Sequence, residues 1–399
     1  MKKIKENLKY IKIKDVLSIF IFIIAIPVAV IIKIKNKIKK QELWLISESK
    51  EAARDNGYHL FKYIRENYPD KKCFYAINKK CSDYNKIKKY NNIIQYESLK
   101  HWIYYLAADK NICTQKDGNP NPALFYILHV YGILKSKRIF LQHGITKDNV
   151  PYINYKNAKF SLFICGAKKE YEFVRDTFGY PDGYVKYTGL ARFDNLYEND
   201  VDKKQILIMP TWRSWLGRDL NKISKCENFT KTMYFNKWNN LLKSEKFNNF
   251  LDENNIKVYF YPHIHMQKYL KYFKVNSKNI KVVDNSDIDI QDLLKRSALL
   301  ITDYSSVFMD FAYMNKPVIY YQFDEQEFRV RHLTEGYFRY SRDGFGDVLT
   351  NEDDVVDKII NYIKANYKVE EKYMKRMKDF FEIRDKNNCK RIYEEIEKL

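Results

Sequence analysis

From residue 41 onwards, short runs of β-branched and aromatic residues alternate with longer amphipathic stretches. This alternation limits the possible folds more than any other feature of the sequence. The apolar runs hold three to six residues, which suits buried strands, whereas stretches such as Ala52–Asn67 have helical spacing. Strands that alternate with helices form βαβ units, so the sequence predicts parallel sheets covered by helices. The predicted strands are Leu43–Ile46, Phe74–Ile77, Asn111–Thr114, Arg138–Leu141, Leu162–Cys165, Lys186–Gly189, Gln205–Met209, Ile256–Tyr261, Lys281–Val283, Leu299–Thr302 and Pro317–Tyr321.

A polar stretch, Tyr197–Lys204, divides these strands into two series. We therefore predict an α/β chain with two Rossmann-like domains, at 41–196 and 197–350, which face a cleft. Residues 351–399 follow as C-terminal helices. The second series also carries predicted helices, and the longest are Asn236–Glu253, Asp353–Tyr367 and Glu370–Lys398. In doubly wound sheets, ligands bind beyond the carboxyl ends of the strands, so this is where functional residues are expected.

Residues 1–40 form a segment of different character. Val16–Ile32 is apolar except for Ser18, and at ~1.5 Å per residue it is near the lower limit for crossing a bilayer core. Residues 1–40 hold eleven lysines and two acidic residues, in a chain of net charge +21. A basic surplus beside an apolar segment favours an anionic membrane surface over nucleic acid as a partner.

The lysines on both sides of the apolar segment bear on its topology. The positive-inside rule keeps both basic flanks in the cytoplasm, so we expect Pro27 to bend the segment into a re-entrant dip. A plain membrane span and a buried core helix are the alternatives. In the re-entrant arrangement the protein lies at the cell membrane, with its catalytic domains on the cytoplasmic side.

Four polar clusters follow predicted strands, and each contains residues suited to chemistry on phosphates. They are Gln142-His143-Gly144, Pro210-Thr211-Trp212-Arg213, Pro262-His263-Ile264-His265 and Asp303-Tyr304-Ser305-Ser306. His143, with a glycine beside it, is the candidate general base. Ser305 and Ser306 begin a helix, where backbone N–H groups bind phosphate or where a serine is simply an N-cap.

The remaining polar residues argue against a metal. His263 and His265 share one face of an extended strand, but no third ligand is suggested. A phosphate contact or a solvent-exposed strand end is preferred over a metal site. The six cysteines lack CxxC or zinc-finger spacing, and no carboxylate cluster suggests Mg²⁺. We expect neither a metal nor a cofactor.

The same clusters resemble those of the CDP-glycerol glycerophosphotransferase family, whose members build teichoic-acid and capsule polymers. The block Leu300–Asp324 is the most specific, and the resemblance extends from Ile139 to Gly346. It implies a GT-B fold with His143 as the general base. The residues that it assigns to the donor and its phosphates are Arg213, His263, His265, Asp303, Ser305 and Ser306.

The resemblance also implies a reaction. An acceptor hydroxyl attacks the polyol-bearing phosphorus of a CDP-polyol donor and CMP leaves, while the acceptor is a lipid-linked or polymeric glycan. The family's R-G-F-Y is Glu335-Gly336-Tyr337-Phe338 here, so the polyol and the acceptor stay open. One alternative is a GT-B glycosyltransferase that uses a sugar nucleotide. Another is a membrane-anchored polyanion-binding protein without catalysis.

Overall fold

The structure is a computed structural model that describes residues 13–115, 118–122, 124, 128, 132, 134–198, 200–217, 229–284 and 288–399. Its residues divide into two compact units. The first unit comprises the chain up to His143, Pro151–Asn195 and Asp385–Leu399. The second comprises Gly144–Val150 and Leu196–Arg384.

The first unit is built on a parallel sheet of seven strands in the order β3-β2-β1-β4-β5-β6-β7. The strands are β1 Leu43–Ser47, β2 Lys72–Ile77, β3 Ile93–Gln95, β4 Lys110–Cys113, β5 Lys137–Phe140, β6 Leu162–Cys165 and β7 Val185–Tyr187. The α-helices of this unit are Ile13–Ile38, Asn56–Asn67, Tyr84–Ile87, Leu99–Ala107, Tyr155–Ala158, Lys168–Thr177 and Asn388–Glu397. The sheet confirms the predicted parallel arrangement, although the short strand β3 was not predicted.

The second unit has a parallel sheet of six strands in the order β10-β9-β8-β11-β12-β13. The strands are β8 Asp202–Met209, β9 Lys257–Phe260, β10 Ile280–Val282, β11 Ser297–Thr302, β12 Val318–Tyr321 and β13 Gly346–Leu349. The α-helices are Ser214–Gly217, Met233–Lys243, Glu245–Asn254, Ile290–Arg296, Val307–Tyr313, Glu325–Arg331, Tyr340–Asp343, Glu352–Lys364 and Glu371–Phe380. The helix predicted at Asn236–Glu253 is two helices. Ser244 separates them, because its hydroxyl accepts a hydrogen bond from Phe247 N and caps the start of the second helix.

The last helix, Asn388–Glu397, belongs to the first unit and not to the C-terminal helical region expected at 351–399. The carboxylate of Asp194 caps it, since one oxygen accepts from the backbone and side-chain nitrogens of Asn388 at 2.8 and 2.7 Å. The other oxygen accepts from Cys389 N at 2.9 Å. Tyr393 then stacks on Tyr68 with 4.1 Å between ring centroids. A carboxylate at a helix N-terminus stabilises both the helix and its docking.

The N-terminal apolar segment forms a single helix, Ile13–Ile38, that continues through Pro27. The re-entrant bend predicted at Pro27 is therefore wrong, because a helix of 26 residues cannot turn back on itself. One narrow face packs on the first unit, where Ala25 and Ala29 are buried with Trp102. Most of the other apolar side chains are exposed, and Val16–Ile38 is the one helix among the described residues that is long and apolar enough to cross a membrane.

We expect Asp194→Ala to destabilise the first unit by about 1–3 kcal/mol, because three hydrogen-bond donors at the start of the last helix lose their acceptor. Urea denaturation followed by tyrosine and tryptophan fluorescence measures this loss. Asp182→Ala, at an exposed position of the same unit, is the control and should change stability by less than ~0.5 kcal/mol. Equal midpoints for the two variants would show that the cap does not hold the helix.

Candidate active site

His143 stands three residues beyond β5 and its side chain is exposed. Its Nδ1 lies 3.4 Å from the carbonyl oxygen of Thr114, just beyond the end of the neighbouring strand β4. A carbonyl can only accept, so this contact requires the proton on Nδ1 and leaves the Nε2 lone pair available. The arrangement suits a general base, as the sequence predicted, and the role itself remains a proposal.

The residue before His143 has an unusual backbone conformation. Gln142 has φ 60°, which is uncommon for a residue with a side chain. Its side-chain amide donates to Ile164 O at 2.6 Å and to Glu170 Oε1 at 2.9 Å, and the residue is buried. Buried hydrogen bonds thus hold the turn that carries His143.

In the second unit, the Asp303–Ser306 cluster follows β11 and leads into helix Val307–Tyr313, as predicted. Ser306 is the N-cap residue, but it makes no side-chain capping hydrogen bond. A Cβ atom at Gly144 would lie 2.7 Å from Ser306 Oγ, so a larger residue at this position would require the Ser306 side chain to shift. The residue after His143 therefore lies against the predicted phosphate-binding turn.

Arg213 and Asp303 are fully buried and carry opposite charges. The guanidinium forms two hydrogen bonds with Asp324, at 2.7 and 2.9 Å, and Nη2 lies 2.9 Å from Asp303 Oδ2. The other Asp303 oxygen accepts from Thr211 N and Tyr304 N at 2.8 and 2.7 Å. A direct phosphate contact by Arg213, or a donor contact by Asp303, does not fit this burial. Both residues brace the strand ends instead.

His263 and His265 lie beside Trp212, with ring centroids 5.9 and 4.7 Å from the indole. His332, which the sequence analysis missed, lies against the same indole at 4.6 Å. Its Nδ1 accepts from Ser214 N at 3.0 Å, so its proton is on Nε2 when the ring is neutral. No local signal could have found it, because His332 comes from the loop that follows another helix, Glu325–Arg331.

The sequence analysis also missed a charged cluster formed by Lys147, Asp148 and Arg329. Lys147 and Asp148 are buried and paired, and Asp148 also accepts from Arg329 at 2.6 Å. Burial lowers the pKa of Lys147 despite the attraction of Asp148. The cluster carries one more positive than negative charge. Sequence position gave a hint, since Lys147 follows Gly144 by three residues, but its burial depends on contacts far along the chain.

Among the described residues there is no group of three or more His, Cys, Asp or Glu side chains arranged to hold a metal ion. The predicted independence from metal stays a prediction.

Arg213→Met should destabilise the second unit by about 3–5 kcal/mol, because Asp303 and Asp324 would be left buried without a cation. Lys246→Met is the control, since Lys246 and Asp357 form an ion pair in which both side chains are more than half exposed. The control should cost less than ~1 kcal/mol. Chemical denaturation of both variants checks this, and a small loss for Arg213→Met would contradict the bracing role.

Comparison with known proteins shows which family the sequence matches. The model of the family described as CDP-Glycerol:Poly(glycerophosphate) glycerophosphotransferase matches residues 28–398. The minor teichoic acid biosynthesis protein GgaB of Bacillus subtilis (strain 168) is 37% identical over 369 residues, which are 90% of this chain but only 40% of GgaB. A teichoic acid poly(glycerol phosphate) polymerase of Bacillus spizizenii is 25% identical over 379 residues, with 86% of this chain and 88% of the polymerase covered.

Solved structures show the same fold. The wall teichoic acid polymerase TagF superposes with a TM-score of 0.66 at 15% identity, covering 97% of this chain and 98% of TagF. MnaA of S. aureus, in a co-structure with UDP, gives a TM-score of 0.53 at 15% identity and covers 90% and 96% of the two chains. The predicted GT-B-type fold and the predicted enzyme family are both confirmed. The chain belongs to the CDP-glycerol:poly(glycerophosphate) glycerophosphotransferase family.

Proposed function

We propose that this protein transfers a polyol phosphate, glycerol or ribitol phosphate, from a CDP-linked donor to a hydroxyl group of a growing teichoic-acid-like or capsular polymer. The observation that carries the proposal is the close approach of Gly144, the residue after His143, to Ser306 in a chain of this family. The family's two motifs, H-G and D-Y-S-S, thereby supply a base and a phosphate-binding turn. Relatives named as poly(glycerol phosphate) polymerase and ribitol-phosphate polymerase support the chemical class.

The reaction needs one proton transfer and one displacement at phosphorus. Nε2 of His143 takes the proton of the acceptor hydroxyl as its oxygen bonds to the polyol-bearing phosphorus. The bond from that phosphorus to the CMP oxygen breaks, and CMP leaves with the electron pair. Donors from the turn at Ser305 and Ser306 stabilise the charge on the phosphate oxygens, and His263 and His265 serve the same purpose.

We also propose that the helix Ile13–Ile38 holds the protein on an anionic membrane, with the catalytic units on the cytoplasmic side. The helix is fixed to the first unit near both ends. Asn121 Nδ2 donates to Ser18 Oγ at 3.2 Å, and Lys72 Nζ donates to Asn36 Oδ1 at 2.8 Å. A helix fixed in this way can cross the bilayer only if the first unit enters it too.

The helix therefore lies along the membrane surface with its exposed apolar face in the lipid. Large apolar side chains that are more than half exposed on it include Leu17, Phe20, Ile23, Ile24, Ile31, Ile34 and Ile38. Lysines after the apolar segment, such as Lys35 and Lys37, are exposed and attract anionic headgroups. This geometry replaces the re-entrant dip and still keeps both basic flanks on one side of the membrane.

The enzymatic proposal is tested by incubating the protein with CDP-glycerol, CDP-ribitol and UDP-sugars, together with a teichoic-acid primer, and measuring nucleotide release and product mass. We expect CMP release from a CDP-polyol. His143→Ala should lower turnover by about 10²–10⁴-fold, the usual cost of losing a general base, and leave CDP affinity unchanged. His59→Ala, at another histidine of the first unit, is the matched control. Release of UDP from a UDP-sugar would favour a glycosyltransferase.

The membrane proposal is tested by flotation with vesicles of phosphatidylglycerol. Replacing Phe20, Ile24 and Ile31 by Asn should abolish flotation, because the exposed apolar face is lost. Val330→Asn, at an 86% exposed apolar side chain of the second unit, is the control and should float like the unchanged protein. Cysteines engineered at positions 3 and 37 should both resist an impermeant reagent in intact cells. Labelling at position 3 alone would show a span.

A further inference from the structure

Asn56 lies inside the first unit, with its side chain 0% exposed. Its Nδ2 donates to the carbonyl oxygens of two successive residues, Leu141 at 3.2 Å and Gln142 at 2.8 Å. Its Oδ1 accepts from Arg192 N at 3.0 Å. The amide thus spans three segments, and two of its three hydrogen bonds end on the backbone directly before His143.

These hydrogen bonds are not needed for helix capping. Asn56 is the first residue of helix Asn56–Asn67, but Asp55 is the N-cap and accepts from Asn56 N at 2.8 Å. Glu48 adds a second carboxylate at this helix end and accepts from the backbone nitrogens of Arg54 and Asp55 at 3.1 and 2.9 Å. The side chain of Asn56 has no role left in the helix, and all its hydrogen bonds reach elsewhere.

The backbone that receives these hydrogen bonds needs support from its surroundings. Gln142 has φ 60°, and such a conformation persists in a residue with a side chain only where neighbouring contacts impose it. The Gln142 side chain is held on one side by Ile164 O and Glu170, and its carbonyl is held on the other side by Asn56. Releasing that carbonyl would free the peptide that joins Gln142 to His143.

An ion pair beside Asn56 helps to fix the position of its side chain. Arg192 Nη1 pairs with Asp55 Oδ1 at 2.8 Å, and the same arginine gives its backbone N–H to Asn56. This pairing places the N–H of Arg192 against the oxygen end of the Asn56 amide. The donor side of the amide therefore faces the Leu141 and Gln142 carbonyls, and a flipped amide would place its oxygen against them.

We propose that Asn56 is a positioning residue for His143: its amide fixes the peptide before His143, so that the imidazole stays in reach of Thr114 O with Nε2 available as the base. This inference rests on the proposed function, in which His143 accepts the proton of the acceptor hydroxyl. Asn56 itself touches neither substrate nor reacting atoms.

The kinetic test uses Asn56→Ala and the isosteric Asn56→Asp in the full chain, with CDP-glycerol as donor. We expect kcat to fall by about 10- to 100-fold while KM for CDP-glycerol changes by less than about twofold, because the base is displaced and the donor site is not. In Asn56→Asp the loss should shrink as the pH falls, since a protonated carboxyl regains one donor. Asn67→Ala is the matched control, because Asn67 is exposed on the same helix and its side chain donates to Tyr63 O within that helix.

A double variant tests whether Asn56 acts through His143. If it does, Asn56→Ala combined with His143→Ala is no slower than His143→Ala alone. If the two losses multiply, Asn56 acts elsewhere and the inference is wrong. Should Asn56→Ala not fold, Asn56→Asp, which has the same shape, takes its place in this comparison.

A measurement without substrate separates this inference from the proposed function. In protein labelled with ¹³C at histidine Cε1, the His143 resonance is identified by its loss in His143→Ala. Asn56→Asp should shift or broaden that resonance and leave those of His263 and His265 unchanged. An unchanged His143 resonance overturns the inference even if transfer activity is found. If no CDP-polyol is used as a donor, the proposed function fails, and the resonance alone decides the positioning role.

Discussion

The buried ion triad of Arg213, Asp303 and Asp324 is the interaction on which the second unit's candidate site depends. Arg213 follows β8, Asp303 follows β11 and Asp324 lies three residues beyond β12, and these strands are neighbours in the sheet. A buried charge is costly unless it is paired, so the three strand ends cannot separate without exposing an unpaired charge. The triad therefore holds Trp212 and Ser305 at fixed places on one sheet edge.

Aromatic rings enclose this triad and make it more rigid. The rings of Tyr304, Tyr234 and Phe328 each lie 5.1 Å from the guanidinium carbon of Arg213. Tyr304 also donates to Asp324 Oδ1 at 3.2 Å and stacks on Phe328, with 3.9 Å between ring centroids. The residue directly before Ser305 is thus packed on one side and hydrogen-bonded on the other. For the proposed phosphate-binding role of this turn, such a support would reduce the rearrangement needed on binding an anion.

In the first unit, side-chain amides serve the same purpose. There, the amides of Asn56 and Gln142 hold the backbone before His143. The difference fits the exposure of the two sites. His143 is exposed, whereas the side chains of the triad are buried. In both units, buried polar groups that bond to one another set the position of a short loop at a strand end.

Much of the fold could be predicted because strand and helix periodicity are local properties. The predicted strands agree with the parallel sheets, whereas β3 and β13 were not predicted. The break at Ser244 and the gap between Phe380 and Asn388 were missed, since one capping residue or one loop does not alter the apolar period on either side. The extent of the apolar segment was predicted, but its straight path through Pro27 was not.

The sequence by itself determined the class of fold, the polar clusters after the strands and the family that those clusters indicate. Only the tertiary structure decided which cluster residues face inward. Arg213 and Asp303 looked like phosphate ligands, yet Arg213 pairs with both Asp303 and Asp324 because neighbouring strands bring these side chains together. His332 and Asn56 drew no notice in the sequence, although the fold places them against Trp212 and the peptide before His143. The pairing of charges and hydrogen bonds depends on distances between segments far apart in the chain, and no local pattern contains those distances.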